Sequence, residues 1–142
     1  KTLTQRLRRT ELDLRAARHL LHVSARFGAG HGSAALVLPL VQNPGNRNGI
    51  VACALDSACG YAAFSLMPDD AAVLTIEFKI NLIAPARGPR FRFEGVVIKP
   101  GRTISVVDGR ATQHDDDGSN EKLIATMTAT IMTVRGREAL KH

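Results

Sequence analysis

The segment from Gly49 to Met67 (GIVACALDSACGYAAFSLM) constrains this chain more than any other, because it holds a single charge, Asp56, and is otherwise small or apolar on every side. A helix lying on a surface shows one apolar stripe, whereas a helix that is apolar all round has to be enclosed. A membrane is one enclosure. Against it, the run is rich in Ala and Gly rather than Leu, and an acid near mid-span costs about 3 kcal/mol on insertion scales. The enclosure is therefore expected from the chain itself. With 142 residues, 44% of them hydrophobic and 23% charged, the chain has the material for one globular core and no more.

The residues after Pro68-Asp69-Asp70 supply that enclosure. Their apolar period changes from helical to alternating: Leu74, Ile76, Phe78, Ile80 and Leu82 are predicted on one strand face, with Thr75, Glu77, Lys79 and Asn81 on the other. Ala84 to Pro89 reads as a turn and Arg90 to Lys99 as the next strand. Pro100-Gly101 reads as a reverse turn into a strand over 102–113, His114 to Asn120 as an exposed acidic loop, and Lys122 to Val134 as a final strand. Upstream, Phe27 to Ser33 is a Gly-rich turn. Ala34 to Val41 reads as a strand that Pro39 makes an edge or a bulged one, and Gln42 to Asn48 as turn formers and caps. Such short connections permit only antiparallel neighbours. A sheet of about five strands with one face to bury and a helix to be enclosed answer each other. The expected fold is thus α+β: a curved antiparallel sheet wrapped around one long central helix, the hotdog architecture.

Residues 1–26 place Leu3, Leu7, Leu14 and Leu21 at helical spacing among seven basic residues and two acids, an extra N-terminal amphipathic helix. Most of the net charge of +6 is local to it. Its charge suits an anionic surface or nucleic acid, but the favoured reading is the solvated face of a helix packed on the domain or on a second subunit. No helix-turn-helix or aromatic interleaving accompanies it, so nucleic acid is not expected as a partner. The organisation expected is residues 1–32 as basic helix and Gly-rich turn, 33–136 as the domain, and 137–142 as a tail. Cys53 and Cys59, roughly 120° apart around a helix, cannot bond to each other. Both are expected to be buried thiols in a reducing compartment, the cytoplasm. No Cys/His pattern calls for a metal.

Read in order, Asn43-Pro44-Gly45, Asn48-Gly49-Ile50-Val51-Ala52, Leu55-Asp56-Ser57-Ala58, the strand Leu74 to Leu82 with Ala84-Pro85-Ala86, the Gly101-Arg102 turn and the strand Ala125 to Thr130 resemble the PaaI-like (phenylacetyl-CoA type) branch of the hotdog acyl-CoA thioesterases. The resemblance spans roughly residues 33–134. It implies hydrolysis of an acyl-CoA to free CoA and a carboxylic acid, without a cofactor, at a site between two subunits of a homodimer or homotetramer. Matched position by position, it implies that Asp56 activates water or attacks the thioester, and that Thr75 holds the water. The N–H groups of Asn48 and Gly49 receive the carbonyl, and Asn43 contributes from the preceding loop. The phosphates of CoA call for a basic rim, for which Arg47, Arg87, Arg90, Lys99 and Arg102 are candidates, with the Pro100-Gly101-Arg102 turn best placed by the resemblance. Where many members carry His-Gly-Gly, this chain has Arg47-Asn48-Gly49.

The chemistry can be read beside the resemblance. An acid on an apolar helix is desolvated, which raises its proton affinity toward values useful to a general base. Free N–H groups at a helix N-terminus carry the positive end of the helix dipole and suit an oxyanion. Each residue also has a plain structural reading: Asp56 satisfied by Ser57, Tyr61 or a cap elsewhere, Gly49 as a helix-start glycine, Thr75 as part of a solvated strand face, and the basic residues as turn and strand-end charges. Two alternatives stand beside hydrolysis. One is a module that holds acyl-CoA without turnover. The other is a hotdog dehydratase or hydratase, which pairs an acid with a histidine and for which His31 is the only candidate near the site.

Overall fold

The computed structural model describes residues 26–27, 33–39 and 47–136, for the first two stretches and Arg47 as backbone only. The expected N-terminal helix and the Gly-rich turn at 28–32 lie outside the described residues, except that Arg26–Phe27 forms a short strand, β1, where the sequence suggested helix end and turn. β2 (Ser33–Pro39) follows, and Leu40 and Val41, expected in the same strand, lie outside the described residues. The central helix α1 (Arg47–Phe64) precedes β3 (Ala72–Leu82), β4 (Arg90–Lys99), β5 (Ile104–His114) and β6 (Lys122–Val134). All pairings are antiparallel, in the order β1-β2-β4-β5-β6-β3. This is the hotdog fold.

Helix α1 draws its propensity from five alanines, Ala52, Ala54, Ala58, Ala62 and Ala63. It starts two residues before the expected Gly49, since Asn48 and Gly49 are tolerated in a first turn whose N–H groups lack intrahelical partners anyway. It also ends three residues before Met67. The N–H groups of Leu66 and Met67 bond the carbonyls of Ala63 and Phe64 at 3.1 Å each, tightening the chain into a turn ahead of Pro68. Val51, Leu55, Ala58, Cys59, Ala62 and Ala63 are buried against Phe91 and Phe93 of β4, Val107 and Ala111 of β5, and Met127, Ala129 and Ile131 of β6. Only one of the two thiols follows expectation: Cys59 is buried, but Cys53 is exposed on the helix face that the sheet leaves uncovered.

Strand β3 departs from simple alternation. Thr75 lies opposite Ile131 and Glu77 opposite Thr130, so Ile76 is an extra residue, a β-bulge. Cross-strand partners share a face. Thr75 therefore sits on the helix side with buried Ile131, while beyond the bulge Phe78, Ile80 and Leu82, opposite Ala129, Met127 and Ala125, occupy that same side. Glu77, Lys79 and Asn81 do face outward as expected, opposite Thr130, Thr128 and Thr126. Thr75 does not join them, and Leu74 lies opposite Met132 on the outer face.

Candidate functional site

The bulge has a direct consequence at the helix. Asp56, half-buried in the middle of α1, accepts a hydrogen bond at Oδ1 from the Thr75 hydroxyl, 2.9 Å away. The plain reading in which Ser57 satisfies Asp56 does not hold: the Ser57 hydroxyl donates instead to the carbonyl of Cys53 at 2.9 Å. One carboxylate oxygen is thereby fixed by a neutral donor. The hydroxyl oxygen of Thr75 keeps its acceptor capacity beside it, an arrangement suited to holding a water molecule against the acid. Beneath the pair lies Cys59, whose thiol is pushed up to about 12 by burial first and by the negative charges of Asp56 and Asp108 second. This cysteine is inert as a nucleophile at neutral pH.

A second group of residues assembles at the N-terminal end of α1. Asn48 and Gly49 lie exposed in the first turn, where N–H groups have no carbonyl four residues back. Asn48, Leu82, Ile83, Ala84, Pro85, Ala86 and Arg87 line a cleft of about 490 Å³. The wall of that cleft is the β3–β4 loop, held at one end by the N–H groups of Ile83 and Ala84 on the carbonyl of Ile124 (2.8 and 3.2 Å). At its other end the N–H groups of Arg87 and Gly88 bond Gln113 Oε1 (2.9 and 3.0 Å). Neither the apolar wall nor Gln113 was singled out from sequence. The only local signal was Ile83 just before the Ala-Pro turn, and a lone glutamine near a strand end carries none.

These two groups are separate within one chain. Asn48 and Asp56 are eight helical residues apart, about 12 Å along the axis, too far to act on one carbonyl. The basic residues expected around one ligand divide likewise. Arg87 borders the Asn48 cleft, whereas Lys99 and Arg102 are exposed at the opposite end of β4, about 30 Å away along a strand of this length. Antiparallel pairing places them with Ser105 and Thr75. Arg47 is the first residue of α1, and Asn43 lies outside the described residues. So does His31. His114 lies at the end of β5, its Nε2 3.0 Å from the Thr112 hydroxyl. Among the described residues no cluster of His, Cys, Asp and Glu could hold a metal, and no helix is long and apolar enough to cross a membrane.

Comparison with known proteins bears on this geometry. A family model described as the thioesterase superfamily matches residues 48–119, from the helix start through β5. A second, the exonuclease I SH3-like domain, matches residues 5–61, of which the part from Arg47 onward is helix here. No curated protein matches the chain. Among solved structures, a thioesterase family protein from Silicibacter pomeroyi is 41% identical, with 94% of this chain and 98% of that one covered and a TM-score of 0.80. A phenylacetic acid degradation-related protein from Ralstonia eutropha JMP134 is 25% identical over 79% of this chain and 85% of its own, with a TM-score of 0.67. A Bacillus halodurans protein solved with CoA shares the fold at 24% identity and a TM-score of 0.67, over 89% of this chain and 87% of its own.

Proposed function

The chain belongs to the thioesterase superfamily, a family of thioester hydrolases, and on that premise we propose that it hydrolyses an acyl-CoA to free CoA and a carboxylic acid with Asp56 as the catalytic acid/base. The observation that carries this reading is the Thr75–Asp56 hydrogen bond on an otherwise apolar helix. Asp56 takes a proton from a water held by Thr75, and the resulting hydroxide adds to the thioester carbonyl. The N–H groups of Asn48 and Gly49 stabilise the oxyanion. Collapse of the intermediate breaks the C–S bond, and the proton returns from Asp56 to the departing sulfur.

Because Asp56 and Asn48 of one chain are about 12 Å apart, the oxyanion donors come from a second subunit, and the active species is a homo-oligomer. The β3 edge supports this. It is eleven residues long, among the described residues bonded on one side only, and exposes Leu74 (54%), Ile76 (52%) and Phe78 (44%), an edge that a monomer would leave open to pairing. In such an assembly Arg87 and Arg47 of one subunit approach the Lys99 and Arg102 end of the other, so both sets face the CoA phosphates. Arg47 stands where many relatives carry histidine and contributes permanent charge there. The two free thiols fit a reducing compartment such as the cytoplasm.

Release of CoA thiol from short, medium, long and aryl acyl-CoAs tests the reading. Wild type is expected to turn over at least one of them, and Asp56→Asn and Asp56→Ala to lose about 10²–10⁴-fold in kcat while remaining folded oligomers. Variants matching wild type would remove Asp56 from the mechanism. Tight acyl-CoA binding with no turnover would favour the non-catalytic module.

A further inference from the structure

Gln113 is neither the acid nor one of the charged candidates, yet its side chain reaches the wall of the Asn48 cleft. It lies near the end of β5, opposite Phe91 of β4. Its Oε1 accepts two successive backbone N–H groups, from Arg87 and Gly88. The contact is close: a Cβ added at Gly88 would lie 2.9 Å from the Gln113 Cβ and 3.3 Å from the His114 carbonyl oxygen, so only glycine lets the loop settle there. The other end of the loop is fixed by the main-chain carbonyl of Ile124, which no side-chain change removes. Gln113 thus pins the Arg87 end of the cleft through its side chain.

Resting on the acyl-CoA reading above, we infer that Gln113 is a positioning residue for the CoA-binding cleft. It acts through the Arg87–Gly88 backbone and sets the wall from Leu82 to Arg87 against Asn48. Its oxygen alone does this, as an acceptor for two donors. Glutamate at 113 preserves that function, whereas leucine, similar in size, abolishes it. The clamp holds the loop and not α1, which by itself fixes the N–H groups of Asn48 and Gly49, so its loss acts on CoA affinity and leaves the chemical step nearly unchanged.

The test measures CoA binding by calorimetry, and kcat and KM on the best acyl-CoA, for wild type, Gln113→Leu and Gln113→Glu. All are compared at the same elevated salt, which screens the charge that glutamate adds. In Gln113→Leu the Kd for CoA and the KM are expected to rise about tenfold, the equivalent of about one hydrogen bond of ordinary strength, with kcat within about threefold of wild type. Gln113→Glu is expected to restore both constants to within about threefold. Should the leucine variant not fold, Gln113→Asn, whose oxygen falls short by one methylene, carries the same comparison. Unchanged CoA affinity in the acceptor-lacking variant, a kcat loss as large as the KM change, or failure of glutamate to restore binding each overturns the inference. A wild type that binds CoA without hydrolysing any thioester defeats the hydrolase reading and leaves the Kd comparison to decide on Gln113. A wild type that does not bind CoA defeats both.

Discussion

Substituting Gly95 by alanine should damage stability and activity together, for one geometric reason. Gly95 lies on the helix side of β4, and a Cβ there would meet the Ala58 carbonyl oxygen at 2.5 Å, its carbon at 2.8 Å and the Cys59 Cα at 2.9 Å. These are helix backbone atoms, which cannot swing aside as a side-chain tip would. To restore ordinary contact at 3.4 Å, α1 has to retreat by about 0.9 Å. Overpacking of this kind costs about 1–3 kcal/mol, a fall in Tm of about 4–12 °C for a domain this size. Asp56 rides on the same helix, two residues before Ala58. A shift of that size strains the 2.9 Å bond from Thr75 toward the limit of hydrogen bonding, with an expected loss of about 10–100-fold in kcat/KM. Gly60→Ala is the control: among the described residues a Cβ there meets only the Val73 Cγ2, at 3.9 Å, so alanine fits and gains about 1 kcal/mol of helix propensity. Thermal melts and CoA-release assays on both variants decide the matter. A Gly95→Ala protein with wild-type Tm and turnover, or a Gly60→Ala protein destabilised as far as Gly95→Ala, would refute the packing argument.

Thr75→Val keeps the shape and removes the hydroxyl, so kcat is expected to fall about 10–100-fold, while Thr75→Ser retains most activity; equal kcat in valine and wild type would show that the hydroxyl takes no part. The Cys59 thiol predicts alkaline behaviour. Its ordinary value of 9.0 is raised to about 12, so the folded chain keeps a proton that the unfolded chain releases above 9.0. The contribution to stability is full below 9.0 and is lost as pH climbs toward 12, by about 1.4 kcal/mol per pH unit. Urea unfolding across that range should show a steeper loss in wild type than in Cys59→Ala, and identical slopes would contradict the assignment.

Much of the fold was legible because hydrophobic period is a local property. The strands Arg90 to Lys99 and Lys122 to Val134 begin and end where their patterns do. The helix ends shifted by two or three residues, because neither the permissive first turn nor the closing turn before Pro68 has a periodic signature. Cys53 and Cys59 sit in equally apolar surroundings in sequence, and only the position of the sheet distinguishes exposed from buried.

For the site, the sequence by itself determined that Asp56 needed an explanation, since a lone acid in an all-round apolar helix is costly wherever that helix packs. Alternation put Thr75 on the solvated face with Glu77, Lys79 and Asn81, and only resemblance to a family linked it to Asp56. Tertiary structure decided the pairing. One extra residue at Ile76, visible only in the register between β3 and β6, turns Thr75 to the helix. The same holds for the split of the basic residues between the two ends of β4 and for the Gln113 clamp on Arg87 and Gly88. Period and propensity are written in near neighbours along the chain. Which face a strand residue takes beyond a bulge, and which residues far apart in sequence touch, are set by how a whole sheet finds its register around one helix.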